Sequence, residues 1–243
     1  MGKTTKISWT DSTWSPWRGC HKTSAGCKNC YFFRDAKRYG HDPETVVRSK
    51  TTFNDPIKWK EPRKIFVCSW SDFFIEEADE WRDEAWDVMR RAPWHTYQIC
   101  TKRIYRAEQC LPDDWGDGYK NVWLGVTGEN QVMLDFRIHE LMRIKSAIHW
   151  VSIEPMLEAI ELSDWQLEEL DWLVVGGESG NGARPFDPHW IDTLLNHRSL
   201  FVKQMGSNPI GLELKHPHGA DPLEWDARYR IQEFPVVCNK SDL

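Results

Sequence analysis

The sequence contains no run of eighteen apolar residues, and its opening Met-Gly-Lys-Thr-Thr-Lys is not followed by an apolar signal region. The first absence excludes a membrane-spanning helix and the second a secretory peptide, so the expectation is a cytoplasmic chain with no membrane partner. A disulfide framework is missing too: the seven cysteines are odd in number, and Cys68, Cys100, Cys110 and Cys238 stand singly, as suits a reducing compartment. No G-x-x-x-x-G-K-[ST] run is present, which removes the P-loop signal. Low-complexity tracts are absent.

Positive charge is scarce beyond residue 64. Residues 1–64 hold 14 Lys+Arg against 6 Asp+Glu, or +8, so the net charge of −6 leaves 17 − 31 = −14 for residues 65–243. Such segregation marks either contact with an anionic partner, nucleic acid or nucleotide phosphate, or a solvated surface whose charges happen to separate. Fifteen tryptophans are present, and Trp14, Trp17, Trp59 and Trp70 lie in or near the basic portion. Most tryptophans are core, but exposed rings can stack on bases.

The basic portion also carries the densest chemistry. Cys20, Cys27 and Cys30 form a C-x6-C-x2-C pattern, with Gly19 and Gly26 directly before two of the thiols. A C-x-x-C pair on a turn can bring two sulfurs to one metal, and the glycines permit the backbone geometry of a wrapping loop. Three thiolates are one short of a closed structural site, which fits a [4Fe–4S] cluster with one open iron. The alternatives are a zinc site completed by a histidine such as His21 or His41, within a nucleic-acid-binding module without catalysis, or unligated thiols.

The run Thr13-Trp-Ser-Pro-Trp-Arg-Gly-Cys20 through Cys30-Tyr31 resembles the phage and bacterial three-cysteine-motif family of radical-SAM-like proteins. Further matches follow in order at Ser71-Asp-Phe-Phe74, Thr101-Lys-Arg103, Ser152-Ile-Glu-Pro155, Gly176-Gly-Glu-Ser-Gly180 with Arg184-Pro185, and Lys203-Gln-Met-Gly206. The resemblance implies a cluster that binds S-adenosylmethionine and cleaves it reductively, and hence an electron-donor protein. Two features depart from familiar radical-SAM enzymes, which use C-x3-C-x2-C and place Gly-Gly-Glu after the second strand. Here Gly176-Gly177-Glu178 follows the sixth, so the amino-group role is not carried over to Glu178.

Strand-like runs recur at residues 65–70, 97–100, 122–126, 149–153, 172–175 and 200–202, with another near Thr13–Trp17. Helical character lies between them, at residues 31–39, 78–92, 104–110, 131–145, 165–170 and 188–196. Continuous apolar strands with helical crossovers predict a parallel sheet covered on both faces. The expected fold is a single α/β domain, a partial or irregular TIM-like barrel of about six or seven strands over residues 1–206. A doubly wound open sheet remains open, because spacing does not give strand order. Residues 207–243, with four prolines and two glycines, break the rhythm and are expected to pack over the barrel or its site.

Ligands bind at the carboxyl ends of parallel strands. The candidates there are Ser69, Ser71 and Asp72; Lys102 and Arg103; Glu129; Glu154; Glu178; and Lys203. Toward S-adenosylmethionine, Asp72, Glu129 or Glu154 suits the amino group or ribose diol, and Lys102 or Arg103 the carboxylate. All of these ends are expected to converge on one pocket beside Cys20, Cys27 and Cys30. The basic portion points to a nucleic acid or nucleotide substrate, or to a docking face for a protein partner.

Overall fold

The computed structural model describes residues 2–236. Seven strands form one all-parallel sheet: β1 (Ser12–Trp14), β2 (Lys64–Val67), β3 (Thr96–Thr101), β4 (Val122–Thr127), β5 (Ile148–Ile153), β6 (Trp172–Gly176) and β7 (Leu200–Gln204). They pair in sequential order without reversal, and the sheet curls into a half-barrel. A doubly wound sheet needs a point where the order reverses, so the partial barrel is the architecture. The helices are α1 (Tyr31–Arg38), α2 (Asp55–Lys58), α3 (Asp79–Arg91), α4 (Gln131–Leu141) and α5 (Asp164–Glu169). Residues 104–110 and 188–194 fold as 3-10 turns instead of the expected helices. Segments this short gain too few hydrogen bonds to offset helix nucleation. No helix among the described residues is long and apolar enough to cross a membrane.

Alternation along the strands separates two cores. Ile65, Val67, Tyr97, Ile99, Leu124, Val151, Leu173 and Val202 share the helix-covered core with Trp86 and Met89 of α3. The intervening positions, Phe66, Trp123, Trp150, Trp172 and Phe201, gather with Trp9 into a second cluster. Trp150 sits 5.4 Å from Trp9 and 5.1 Å from Trp172, centroid to centroid. Each buried indole removes about 150–250 Å² from water, an upper limit near 4–6 kcal/mol apiece. Gly125 on β4 makes room for this stack, because a Cβ there would lie 2.5 Å from the Trp150 indole.

The half-barrel does not close on itself; each edge is covered from outside. Gly2 bridges Thr13 on β1, and the C-terminal segment bonds β7 through Val202 N–H to the Ile231 carbonyl (2.8 Å) and Glu233 N–H to the Leu200 carbonyl (3.0 Å). Phe234 stacks on Trp172 at 5.4 Å, with the Lys64 ammonium 4.6 Å from its centroid. Pairing of this kind blunts two strand edges that would otherwise template association.

Candidate functional site

The cysteine loop follows β1 and a two-residue ribbon of Trp17–Arg18 with Val47–Arg48. Gly19 enters the loop at φ +107°, and a Cβ there would meet the Thr45 carbonyl at 2.3 Å, so both conformation and space require glycine. Ala25–Cys27 is a 3-10 turn, Cys30 N–H bonds the Cys27 carbonyl at 3.4 Å, and Cys30 occupies the position just before α1. The C-x-x-C pair therefore sits on a turn, as its spacing predicts.

Three carboxylate–guanidinium pairs, each rooted at strand ends, grip this loop. At the first, Asp72 accepts from the Thr101 hydroxyl (2.7 Å) and the Lys102 and Phe74 amides (2.9 and 3.0 Å), with Arg103 at 3.5 Å. Arg103 in turn donates to the His21 carbonyl at 2.9 Å and lies 3.7 Å from the Cys20 sulfur. At the second, Glu129 accepts from Gly26 N–H (3.0 Å) and Arg137 (2.8 Å), while Arg137 reaches the Thr127 carbonyl (2.7 Å) and Ser24 Oγ (3.1 Å). At the third, Glu178 accepts from Arg184 (2.5 and 2.9 Å) and Asn29 (2.8 Å), and Arg184 donates to the Ala25 carbonyl at 2.9 Å. The loop is thus held at Cys20–His21, at Ser24–Gly26 and at Asn29 by partners from distant segments. Charge-assisted bonds of this kind contribute about 1.5–3 kcal/mol each.

Electrostatics agree with this structural role. Burial of Glu129 opposes ionisation, yet the Ser24 hydroxyl, the Gly26 amide and Arg137 hold its carboxyl down to about 2. Glu178 is likewise below the usual carboxylate range: burial raises it, but Arg184 and Asn29 outweigh burial. Burial drives the Cys20 thiol up to about 12, with Asp72 adding to the effect and Arg103 opposing it. Cys27 is also raised by burial, but the Lys102 charge and hydrogen bonds from Thr23 and Ser24 leave it below the usual thiol value. A bound metal cation favours the thiolate form of either.

Beneath the loop lies a cavity of about 420 Å³ at the carboxyl ends of the strands, lined by Cys20, Cys27 and Cys30 together. Ser69, Ser71, Asp72, Lys102, Arg103, Glu154, Glu178 and Lys203 also line it, whereas Glu129 stands behind the loop, wholly buried and outside the lining. Lining is not availability. The Asp72 oxygens are taken by Thr101, Lys102, Phe74 and Arg103, those of Glu178 by Arg184 and Asn29, Ser71 Oγ donates to the Gly19 carbonyl at 2.5 Å, and Lys203 pairs with Glu154. Lys102 differs, since its ammonium has no hydrogen-bond or ion-pair partner among the described residues. Trp9 and Phe66 belong both to the cavity lining and to the aromatic cluster, so that cluster forms the apolar floor.

Sequence reasoning missed Arg137 and Asn29 as loop holders and gave Arg184 no role. Arg184 had a signal in its Arg-Pro motif, but Arg137 reads as an ordinary helix residue and only its 2% exposure betrays it. Cys68 and Cys100 also reach the cavity. Cys238 lies outside the described residues.

The donor set bears on which metal group suits the site. Sulfurs on one zinc at about 2.3 Å stand about 3.8 Å apart, yet no three His, Cys, Asp or Glu side chains among the described residues are grouped to hold a single ion. The ring of His21 pairs with Glu77, and His41 lines a different cavity. A cluster places each cysteine on a different iron, so it calls for three sulfurs spread around a shared volume. Cys20, Cys27 and Cys30 all line the one cavity.

Residues 4–231 match the model of a family described as a protein of unknown function (DUF5131), and the chain belongs to that family. No curated protein and no solved structure matches the chain.

Proposed function

We propose that this member of the family is a radical S-adenosylmethionine enzyme acting on a nucleic acid or nucleotide substrate. The observation that carries the reading is the shared cavity: three cysteines on one clamped loop face the polar ends of the strands across a space of about 420 Å³. That volume falls within the ~300–1,000 Å³ of ligand sites. Cys20, Cys27 and Cys30 would hold a [4Fe–4S] cluster, which, when reduced by an external one-electron donor, would supply the electron for cleavage of S-adenosylmethionine to methionine and a 5′-deoxyadenosyl radical able to take a hydrogen atom from a substrate.

The chain's own residues bind, orient and exclude water. The Asp72–Arg103, Glu129–Arg137 and Glu178–Arg184 pairs fix the loop, so the thiols reach the cavity from a preset backbone. Lys102, the unpaired cation in the lining, is the group best placed to take the cofactor's carboxylate, and Glu154 with Lys203 offers a neutral pair for the diol or amino group. The indole floor of Trp9 with Phe66 keeps the deep end dry. Around the loop, Lys22, Lys28, Arg34, Lys37 and Arg38 are all exposed, a positive rim suited to phosphate.

The test is anaerobic purification with iron and sulfide analysis, followed by incubation with S-adenosylmethionine and dithionite. About four irons and four sulfides per chain and formation of 5′-deoxyadenosine support the reading. One zinc per chain without iron, or an iron-loaded protein that leaves S-adenosylmethionine intact, would overturn it.

A further inference from the structure

A second cavity of about 210 Å³ lies on the other side of α1, lined by Arg18, Phe32, His41, Asp42 and Trp70 among others. The two cavities share their walls. In the loop after β2, Ser69 and Ser71 line the larger cavity while Trp70 lines the smaller; on α1, Tyr31 and Phe33 line the larger while Phe32 and Ala36 line the smaller.

Three features define what the smaller cavity can hold. Trp70 is supported by Phe32 at 5.7 Å and stacked with Tyr39, their centroids 6.4 Å apart and their planes 29° from parallel. Tyr39 is not itself part of the cavity lining, so a base entering the cavity would stack on Trp70, with the Tyr39 ring parting from Trp70 to cover it. Tyr39 is 62% exposed, and its hydroxyl makes no hydrogen bond among the described residues. The Arg18 guanidinium, half-buried at this cavity, likewise has neither hydrogen-bond nor ion-pair partner among the described residues. The carboxylate beside it, Asp42, is occupied by the Thr45 hydroxyl at 2.6 Å and the Glu44 amide at 3.1 Å.

A stacking pair beside an uncommitted guanidinium matches an unpaired base with its phosphate. The volume is below the ~300 Å³ where sites for whole drug-sized ligands begin, and it suits one base. We propose that this cavity binds the base of a nucleotide neighbouring the one presented to the cluster cavity, so that single-stranded nucleic acid crosses α1 with successive nucleotides on its two sides. The proposal rests on the nucleic-acid reading of the substrate and adds a site that makes no contact with the cysteine loop's thiols. It predicts a substrate with at least two adjacent unpaired nucleotides, in place of a free nucleotide.

Fluorescence anisotropy of a labelled single-stranded oligonucleotide, titrated with the anaerobically purified protein at low salt, tests it. Tyr39→Ala should weaken binding roughly 5- to 150-fold, the loss associated with one base–aromatic stack. Tyr39→Phe should stay within about twofold of the parent, because the ring and not the hydroxyl carries the contact. Arg18→Gln should weaken binding and lower the salt dependence by about one phosphate contact. No measurable binding by the parent protein, or Tyr39→Ala and Arg18→Gln variants that bind as the parent does, would overturn the proposal. Iron content of the same preparations reports on the cluster separately. Full iron with unaltered oligonucleotide binding in the variants removes the base slot and leaves the cluster reading standing; variant-sensitive binding without iron does the reverse.

Discussion

Glu129→Ala is the sharpest perturbation of the loop clamp. The side chain is fully buried, lies outside the cavity lining, and links Gly26 N–H to Arg137 at 3.0 and 2.8 Å. Its removal orphans a guanidinium that is itself 2% exposed, leaving only the Thr127 carbonyl and the Ser24 hydroxyl to receive its donors. Breaking one half of a buried pair costs about 3–5 kcal/mol, a large share of the ~5–15 kcal/mol that holds a typical domain folded. With a urea slope of ~2–3 kcal/mol per molar, the midpoint should fall by roughly 1–2.5 M. Replacing both partners, Glu129→Leu with Arg137→Met, removes the stranded charge and should recover most of that stability. The Gly26 amide still loses its acceptor in the double variant, so iron retention should remain impaired. Equilibrium urea unfolding under anaerobic conditions, with iron per chain measured on the same samples, separates the two effects. A Glu129→Ala midpoint within ~0.3 M of the parent with full iron would refute the clamp.

The other expectations concern the loop, its ligands and the histidines of the core. Cys20→Ala, Cys27→Ala and Cys30→Ala should each abolish iron binding by elemental analysis while Cys110→Ala leaves it unchanged; full iron in Cys20→Ala would refute the three-ligand set. Gly19→Ala should lower the thermal midpoint sharply, because φ +107° alone costs about 1–3 kcal/mol and the Thr45 carbonyl adds a collision. Lys102→Met should keep fold and iron yet weaken S-adenosylmethionine binding, by calorimetry, about 10- to 150-fold, the loss of one charge-assisted bond. His95 and His197 are held neutral, their folded pKa values lowered chiefly by burial, so the unfolded chain binds more protons below ~6.5. Stability should therefore be complete above that value and decline as pH falls through it, with a lower urea midpoint at pH 5.5 than at 7.5; His197→Asn should flatten the dependence if its ring, bonded between the Leu170 carbonyl and the Ser199 amide, is a source.

Much of this architecture is written locally. Apolar runs at a βα interval gave all seven strands within a few residues, and the C-x6-C-x2-C spacing placed two thiols on a turn with the third upstream in the same loop, because both patterns arise from near neighbours along the chain. The strand-end rule brought Ser69, Ser71, Asp72, Lys102, Arg103, Glu154, Glu178 and Lys203 to one cavity, since parallel strands with helical crossovers all point their carboxyl ends the same way. Strand order was not legible: an open doubly wound sheet and a curled sequential one share the same spacing, and only inter-strand hydrogen bonds distinguish them. Nor was the division of labour among the carboxylates. A buried Glu129 and a cavity-lining Glu154 look alike in sequence; what separates them is whether a guanidinium from elsewhere, Arg137 from α4 in this case, arrives within hydrogen-bond reach. The aromatic floor and the slot of Tyr39 on Trp70 likewise depend on aromatic side chains 22 or more positions apart meeting in space. Periodicity encodes which face of an element is apolar, but not which distant partner covers it, and only the tertiary structure decides that.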